Sequence, residues 1–241
     1  DENLHEMKML DDWFKEGIKQ TKDKIFLLMM ERGMGKTSWV RNISKGKILE
    51  NDVLVKPIYL NDTYRSTKES IVSKIDQVMT TDKNHAVVFD DSSNRHIRMD
   101  AKDLKEEIAN FCAYYLELYK KEKGIEKIVL VLDGIDEVLL DTNNNIFSCI
   151  PDSDMLPEHF YILITCRDSE NISDYLNVWL NELKIPENNK LVLYRDDMNY
   201  RQVLTEYIKA ADISESYIKE ILNKSEYRFA YVNILTKILL R

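Results

Sequence analysis

Two short runs of residues combine cations, hydroxyls and carboxylates at spacings that would let their side chains act together on one ligand. The first is MERGMGKT at 30–37, between an apolar run and a helical pattern. Closely spaced glycines let a loop curl so that several backbone N–H groups face one anion, and a helix beginning there adds its positive dipole end. In such a loop the lysine is a mobile cation for the β and γ phosphates of a nucleotide, and the threonine hydroxyl ligates Mg²⁺. We therefore predict a triphosphate site made by Glu31, Arg32, Gly33, Met34, Gly35, Lys36, Thr37 and Ser38.

The loop departs from the usual pattern at one position. The full pattern G-x-x-x-x-G-K-[ST] has glycine where this chain has Met30. The remaining Gly-Lys-Thr is a weak signal alone, but a buried apolar run ends where the loop begins and a helical pattern starts at Lys36. This context favours a phosphate loop over an ordinary turn between a strand and a helix.

The second run places acids after the most apolar segment of the chain, KIVLVLDGIDE at 127–137. Ligands of parallel α/β sheets bind at the carboxyl ends of the strands. We predict that Asp133 holds Mg²⁺, and that Glu137, or with less support Asp136, orients or deprotonates an attacking water. A shorter apolar run before Asp90 and Asp91 is the rival candidate, although no helical pattern clearly precedes it.

A third apolar run, YILITCR at 161–167, ends in a hydroxyl and a cation. If this strand lies beside the Asp133 strand, Thr165 and Arg167 face the terminal phosphate. An arginine there senses the triphosphate and stabilises developing charge. The alternative is a surface arginine that pairs with Asp168 or Glu170.

The apolar runs alternate with helical patterns, which predicts an α/β fold. Unbroken apolar runs at 24–30, 53–60, 125–133, 159–166 and 190–195 are typical of parallel strands buried on both faces. Helical spacing occurs at 3–19, after Lys36, at 67–79 and at 101–122, and helices dominate from about 197 onward. The change near 197 is the one candidate domain boundary.

The composition of the chain limits the kinds of molecule that we expect it to bind. The net charge is −8 in 241 residues, which disfavours general nucleic-acid binding. The three widely spaced cysteines have no metal-site spacing and suggest reduced core thiols in a cytoplasmic protein. No apolar stretch approaches the roughly 20 residues of a membrane span. The chain begins with Asp1 and ends in an apolar helical pattern, so we interpret it as a domain of a larger protein.

The three motifs together resemble those of the STAND class of P-loop NTPases, and within it the NACHT-like group. The resemblance rests on MERGMGKT at 30–37, IVLVLDGIDE at 128–137 and ILITCR at 162–167. It implies a three-layer αβα domain over 1–196, with a five-stranded parallel sheet in the order 5-1-4-3-2. It also implies a leading helix within 1–22 near the base, where Leu4 to Phe14 line an adenine pocket, and a small helical subdomain over 197–241.

The same resemblance implies a function. ATP or ADP is bound with Mg²⁺, and the nucleotide state controls opening and homo-oligomerisation, so that effector and sensor domains of the same chain are switched. Many members of the class act in innate immunity, cell death or antiviral defence. The Gly-x-Pro motif of the group is absent near 227–233, where Phe229-Ala230-Tyr231 stands. We expect slow hydrolysis, because a switch needs a long-lived bound state.

Other functions remain to be weighed. The only near match to the guanine-reading N-K-x-D motif is Asn223-Lys224-Ser225-Glu226, between helical patterns, so a GTPase is disfavoured. An AAA-type or DNA-loading ATPase is the closer rival, and it requires a second sensor arginine for which only Arg195 and Arg201 are candidates. A scaffold that binds nucleotide without turnover is the non-enzyme alternative, and Met30 is the feature that favours it.

Overall fold

The computed structural model describes residues 7–46, 49–60, 67–81, 95–138, 146–167 and 173–239 of the chain. The rival acidic run at 86–91, Leu4 of the leading helix, and both Asp168 and Glu170 lie outside these ranges.

The five predicted apolar runs form one five-stranded sheet. The strands are β1 (Ile25–Met30), β2 (Val53–Tyr59), β3 (Lys127–Asp133), β4 (Phe160–Cys166) and β5 (Lys190–Leu193). Every neighbouring pair is parallel, and the spatial order is β2-β3-β4-β1-β5. Every residue of β4 is buried, and so is every residue of β3 after its first, because both faces of the sheet are covered. The predicted order 5-1-4-3-2 is confirmed.

Helices cover both faces of the sheet and make it the middle of three layers. One face packs against α3 (Lys68–Thr80), α4 (Leu104–Lys123) and α5 (Asp174–Glu182). The opposite face packs against α1 (Lys8–Gln20) and α2 (Lys36–Ile43). The predicted helix at 101–122 begins later, at Leu104, because the Asp103 side chain caps it by accepting from the Glu106 N–H. The three cysteines are buried in the core, as predicted.

Three further helices follow β5, namely α6 (Met198–Ala210), α7 (Glu215–Lys224) and α8 (Phe229–Leu239). The Asp197 side chain caps α6 by accepting from the N–H groups of its first turn. Buried side chains of all three helices, Leu204, Ile221 and Val232 among them, join the same apolar cluster as those of α1 and α2. A domain boundary at 197 remains a prediction, and it falls between elements that share a core. None of the described helices has the length and apolarity that crossing a bilayer requires.

Strand pairing brings the three motifs to one edge of the sheet. In the register of the central strands, Thr165 of β4 lies between Leu28 of β1 and Asp133 of β3. The phosphate loop leaves β1 two residues after Leu28, at the same carboxyl edge. The loop, the acidic strand end and the end of β4 are therefore neighbours, which is the arrangement that the three motifs require.

Gly134 occupies a position where both the backbone conformation and the space available favour glycine. Its φ is +81°, and an added Cβ would lie 3.0 Å from the Leu60 carbonyl oxygen. Leu60 is held in place because its N–H donates to the Asp133 carbonyl at 2.8 Å. The backbone group that constrains Gly134 therefore belongs to the chain leaving β2.

We expect Gly134→Ala to lower the free energy of unfolding more than Gly124→Ala. Gly124 ends α4 with φ +68° and open space around it, so alanine there costs about 1–2 kcal/mol of left-handed strain. At Gly134 a backbone oxygen must also move, which adds about 1 kcal/mol or more. Urea unfolding of the two variants and the wild type measures the difference. Equal losses would mean that the Leu60 contact does not constrain this turn.

Candidate functional site

The predicted phosphate loop curls through two glycines with left-handed backbones. Gly33 has φ +84° and Gly35 has φ +99°. Gly35 is the N-cap of α2, which begins at Lys36. The first N–H groups of a helix have no carbonyl partner within it, and they carry the positive end of its dipole. The loop therefore ends in a ready anion-binding geometry.

Met30 is accommodated in the core. It is the last residue of β1, pairs with Leu193 of β5, and its side chain is fully buried in the cluster under α1. Glycine is required only where the backbone turns left-handed or another group approaches closely. Here that need begins at Gly33, so the departure from the usual pattern leaves the curl of the loop intact.

Two carbonyls of the loop accept hydrogen bonds from the helices that follow β5. The Ala230 N–H of α8 donates to the Gly33 carbonyl at 3.2 Å, and the Tyr200 hydroxyl of α6 donates to the Met34 carbonyl at 3.3 Å. Burial raises the pKa of the Tyr200 hydroxyl, so it stays protonated and remains a donor. Gly35 lies tightly against side chains, because an added Cβ would be 2.7 Å from the Met7 methyl.

Asp133 is buried and fixed by Thr165. The Thr165 hydroxyl donates to Asp133 Oδ1 at 2.6 Å and accepts from the Gly134 N–H at 3.1 Å. Thr165 is fully buried and Asp133 is 3% exposed. The structure places Thr165 against the carboxylate, whereas the sequence placed it facing the phosphate. A hydroxyl bonded in this way fixes the orientation of the Asp133 carboxylate.

Arg167 joins the two remaining acids. Its backbone N–H donates to Asp136 Oδ1 at 3.1 Å, and its Nε lies 3.2 Å from Asp136 Oδ2. Its guanidinium also forms an ion pair with Glu137. Asp136 and Glu137 belong to a short 3₁₀ turn, Ile135–Glu137, which follows Gly134. The sequence-based alternative paired Arg167 with residues beyond it, whereas these ion pairs run back to the Asp133 strand.

The loop and the acidic turn share the wall of one cleft of about 560 Å³. Its lining consists of Glu31, Arg32, Gly33, Met34, Gly35, Lys36, Thr37 and Ser38 from the loop, Glu137 and Arg167, and Phe229, Ala230, Asn233 and Ile234 from α8. Asp133 and Thr165 are buried at the strand ends from which the acidic turn and Arg167 extend. Ten of the thirteen predicted site residues therefore line one cleft, whereas Asp133, Asp136 and Thr165 do not line it.

Four wall residues on α8 were missed from the sequence. Phe229, Ala230, Asn233 and Ile234 lie within an ordinary apolar helical pattern, and no motif separates them from core residues. Of the leading helix, Leu10 and Phe14 are core residues and Met7 touches the loop at Gly35.

The charges in the cleft favour an anion. Glu31 is paired with Arg195, and Glu137 is paired with Arg167. Lys36 has no ion-pair partner among the residues that the structure describes, and Arg32 is exposed at the same wall. The cleft therefore keeps an uncompensated positive charge beside the start of α2, which suits phosphate.

The oxygen ligands present suit Mg²⁺ as part of a phosphate complex. Within the described ranges no cluster of three or more His, Cys, Asp or Glu residues could hold a metal by itself. Thr37 and Asp133 offer a hydroxyl and a carboxylate. Mg²⁺ is commonly bound by one or two protein oxygens, waters and the phosphates of the substrate, and a hydroxyl and a carboxylate are ligands of that type.

The two arginines considered for an AAA-type sensor lie outside this wall. Arg195 pairs with Glu31, and the Arg201 guanidinium stacks 4.3 Å from the centre of the Tyr227 ring. Both line a neighbouring cleft of about 460 Å³.

Comparison with known proteins gives one family and one fold. Residues 2–167, a range that holds all three motifs, match the family model described as Nephrocystin 3, N-terminal. No curated protein matches the chain. Among solved structures, Orc1 from Aeropyrum pernix in complex with DNA is 14% identical with a TM-score of 0.51, covering 98% of this chain and 58% of that one. Cdc6p from Pyrobaculum aerophilum is 15% identical with a TM-score of 0.41, covering 87% and 51%.

The chain spans little more than half the length of either structure. At 14% identity the likeness to Orc1 concerns the fold alone, and it agrees with the five-stranded parallel sheet described above. The expectation against general nucleic-acid binding rests on net charge alone and stays a prediction.

Proposed function

The chain belongs to the Nephrocystin 3 N-terminal family and has the fold of a P-loop NTPase, and from that premise we propose that it binds ATP with Mg²⁺ and hydrolyses it slowly. The observation that carries the proposal is the cleft in which the whole loop from Glu31 to Ser38 meets Glu137 and Arg167. A loop that ends in a helix N-terminus, a lysine without an ion-pair partner in the described structure and an acidic strand end are the parts that triphosphate binding needs.

Each part has a role in binding. Lys36 and the first N–H groups of α2 bind the phosphates, with Arg32 and Ser38 beside them. Thr37 and Asp133 hold Mg²⁺, which neutralises charge on the β and γ phosphates when bound. Thr165 orients Asp133, since its hydroxyl is committed to that carboxylate.

We assign hydrolysis to residues of the acidic turn, Ile135–Glu137, and to Arg167. Glu137 lies at the cleft wall, where a carboxylate accepts a proton from an attacking water. Asp136 is more deeply buried and already accepts the Arg167 N–H, which favours a structural role for it. Arg167 is at the same wall, where a guanidinium stabilises negative charge as it develops. Because Glu137 is ion-paired with Arg167, its carboxylate must leave this ion pair before it can act as a base. This requirement supports slow turnover.

The finer assignment is to a NACHT-like switch of a larger signalling or defence protein. It is supported by the three motifs and by the contacts of α6 and α8 with the loop, which link the nucleotide site to the last helices. On this proposal ATP and ADP favour different arrangements, and effector and sensor domains together with homo-oligomerisation supply the output.

An AAA-type DNA-loading ATPase is the second candidate, because the fold is similar to that of Orc1. The two proposals differ in one measurable property. Duplex DNA should stimulate ATP turnover by a DNA-loading enzyme, whereas a protein-controlled switch should not respond. A third outcome, tight binding without turnover, would indicate a scaffold.

The binding proposal is tested with Asp133→Asn. Asparagine keeps an oxygen that accepts the Thr165 hydroxyl, so the fold is preserved while the charge on the metal ligand is lost. In calorimetric titrations we expect Mg²⁺ to strengthen ATP binding by the wild type about tenfold or more, and the variant to lose most of that dependence. Wild-type protein that binds no nucleotide with or without Mg²⁺ would refute the proposed function.

A further inference from the structure

We propose that Asn233 of α8 binds the nucleotide directly, by donating its side-chain amide to a phosphate oxygen. The inference rests on the proposed function and assigns a contact that none of the three motifs contains. Asn233 lines the same cleft as Lys36, Thr37 and Arg167.

The first residues of α8 pack against the phosphate loop. The Ala230 N–H donates to the Gly33 carbonyl at 3.2 Å, and an added Cβ at Gly35 would lie 3.2 Å from the Phe229 ring. Asn233 follows these residues by three and four positions, so it projects from the same face of the helix. Its position relative to the loop is therefore fixed by two contacts one turn earlier.

Asn233 is held by a neighbour that determines which of its groups is available. The Tyr207 hydroxyl of α6 donates to Asn233 Oδ1 at 2.9 Å. The amide oxygen is thus engaged, and the Nδ2 group keeps two N–H donors. The other three wall residues of α8 have apolar side chains, so Asn233 is the polar group that this helix offers to the cleft.

The chemistry of this group matches phosphate. Phosphate oxygens only accept hydrogen bonds, and a donor held in place by a second bond forms a contact without ordering a flexible side chain. A hydrogen bond to a charged acceptor is worth about a tenfold to hundredfold change in affinity. The triphosphate would then be held between the loop on one side and Asn233 on the other.

The test compares two substitutions at one position by calorimetry with Mg·ATP. Asn233→Ala removes the donor and should weaken binding about tenfold. Asn233→Asp keeps the size and the oxygen that accepts from Tyr207, but places a negative charge against phosphate, so we expect a further loss of about tenfold. Asn223→Asp, on the exposed surface of α7, is the control for the change in net charge and should bind as the wild type does.

The outcomes separate this proposal from the one on which it rests. Wild-type binding that is lost in Lys36→Ala supports the phosphate site. If Asn233→Asp then binds like the wild type, the Asn233 contact is refuted and the site stands. Equal losses for alanine and aspartate would mean that the contact is not with phosphate, which also overturns the assignment. Unfolding midpoints of all variants show whether a loss reflects folding instead, and Tyr207→Phe should give a smaller loss of the same sign.

Discussion

Lys36→Ala should weaken Mg·ATP binding by about a hundredfold or more, while the protein stays folded. Lys36 has no ion-pair partner in the part of the chain that the structure describes, so its charge is available to the phosphates. One charge-assisted contact is worth about 1.5–3 kcal/mol, and the lysine of a phosphate loop reaches both the β and γ phosphates. Titration calorimetry with ATP and ADP measures the loss, and we expect it to be larger for ATP.

Lys45→Ala is the matched control for this substitution. Lys45 is exposed in the turn that follows α2, so its removal changes the net charge by the same amount outside the cleft. Affinity within about twofold of the wild type is expected, because exposed charges are screened by salt. Similar affinities for both variants would mean that the nucleotide does not bind at the loop.

Glu137→Gln should reduce ATP hydrolysis about 10²- to 10⁴-fold while leaving binding within a few-fold of the wild type. Glutamine keeps the shape of the side chain but cannot accept the proton from water. It also ends the ion pair of Glu137 with Arg167 while the pair with Asp136 remains, so less negative charge opposes phosphate and unchanged or tighter ATP binding is expected. Phosphate release in single turnovers, measured beside equilibrium binding, separates the two effects.

Asp136→Asn is the companion variant. Asp136 accepts the backbone N–H of Arg167 and is paired with its Nε, so its loss should destabilise the turn more than it slows the chemistry. A larger loss of hydrolysis in Asp136→Asn than in Glu137→Gln, with the fold intact, would reverse the two assignments.

The sequence predicted the sheet well because each of its signals is local. Buried parallel strands appear as unbroken apolar runs, and the five runs gave five strands with ends shifted by at most two residues. The loop at 30–37 could be predicted as a phosphate site for the same reason, since Gly33, Gly35 and Lys36 are close together in the chain. Strand order came from the family resemblance, because apolar runs do not say which strands pair.

The parts that were missed depend on contacts between distant segments. Asn233 reaches the cleft because Ala230 bonds to Gly33, and nothing in the α8 pattern distinguishes a wall residue from a core residue. The ion pair of Arg167 with Glu137 likewise follows from the pairing of β3 with β4, which sets the ends of two separate strands side by side. The spacing of residues along the sequence does not indicate such contacts between distant segments.

The two hydrogen bonds from Tyr200 and Ala230 to the loop carbonyls have a consequence for how the chain can be divided. A protein shortened at 196 would leave both carbonyls facing water and would strip the apolar cover from α1 and α2. We expect such a fragment to hold its loop loosely and to aggregate through the uncovered face. The last helices thus support the wall of the proposed nucleotide site.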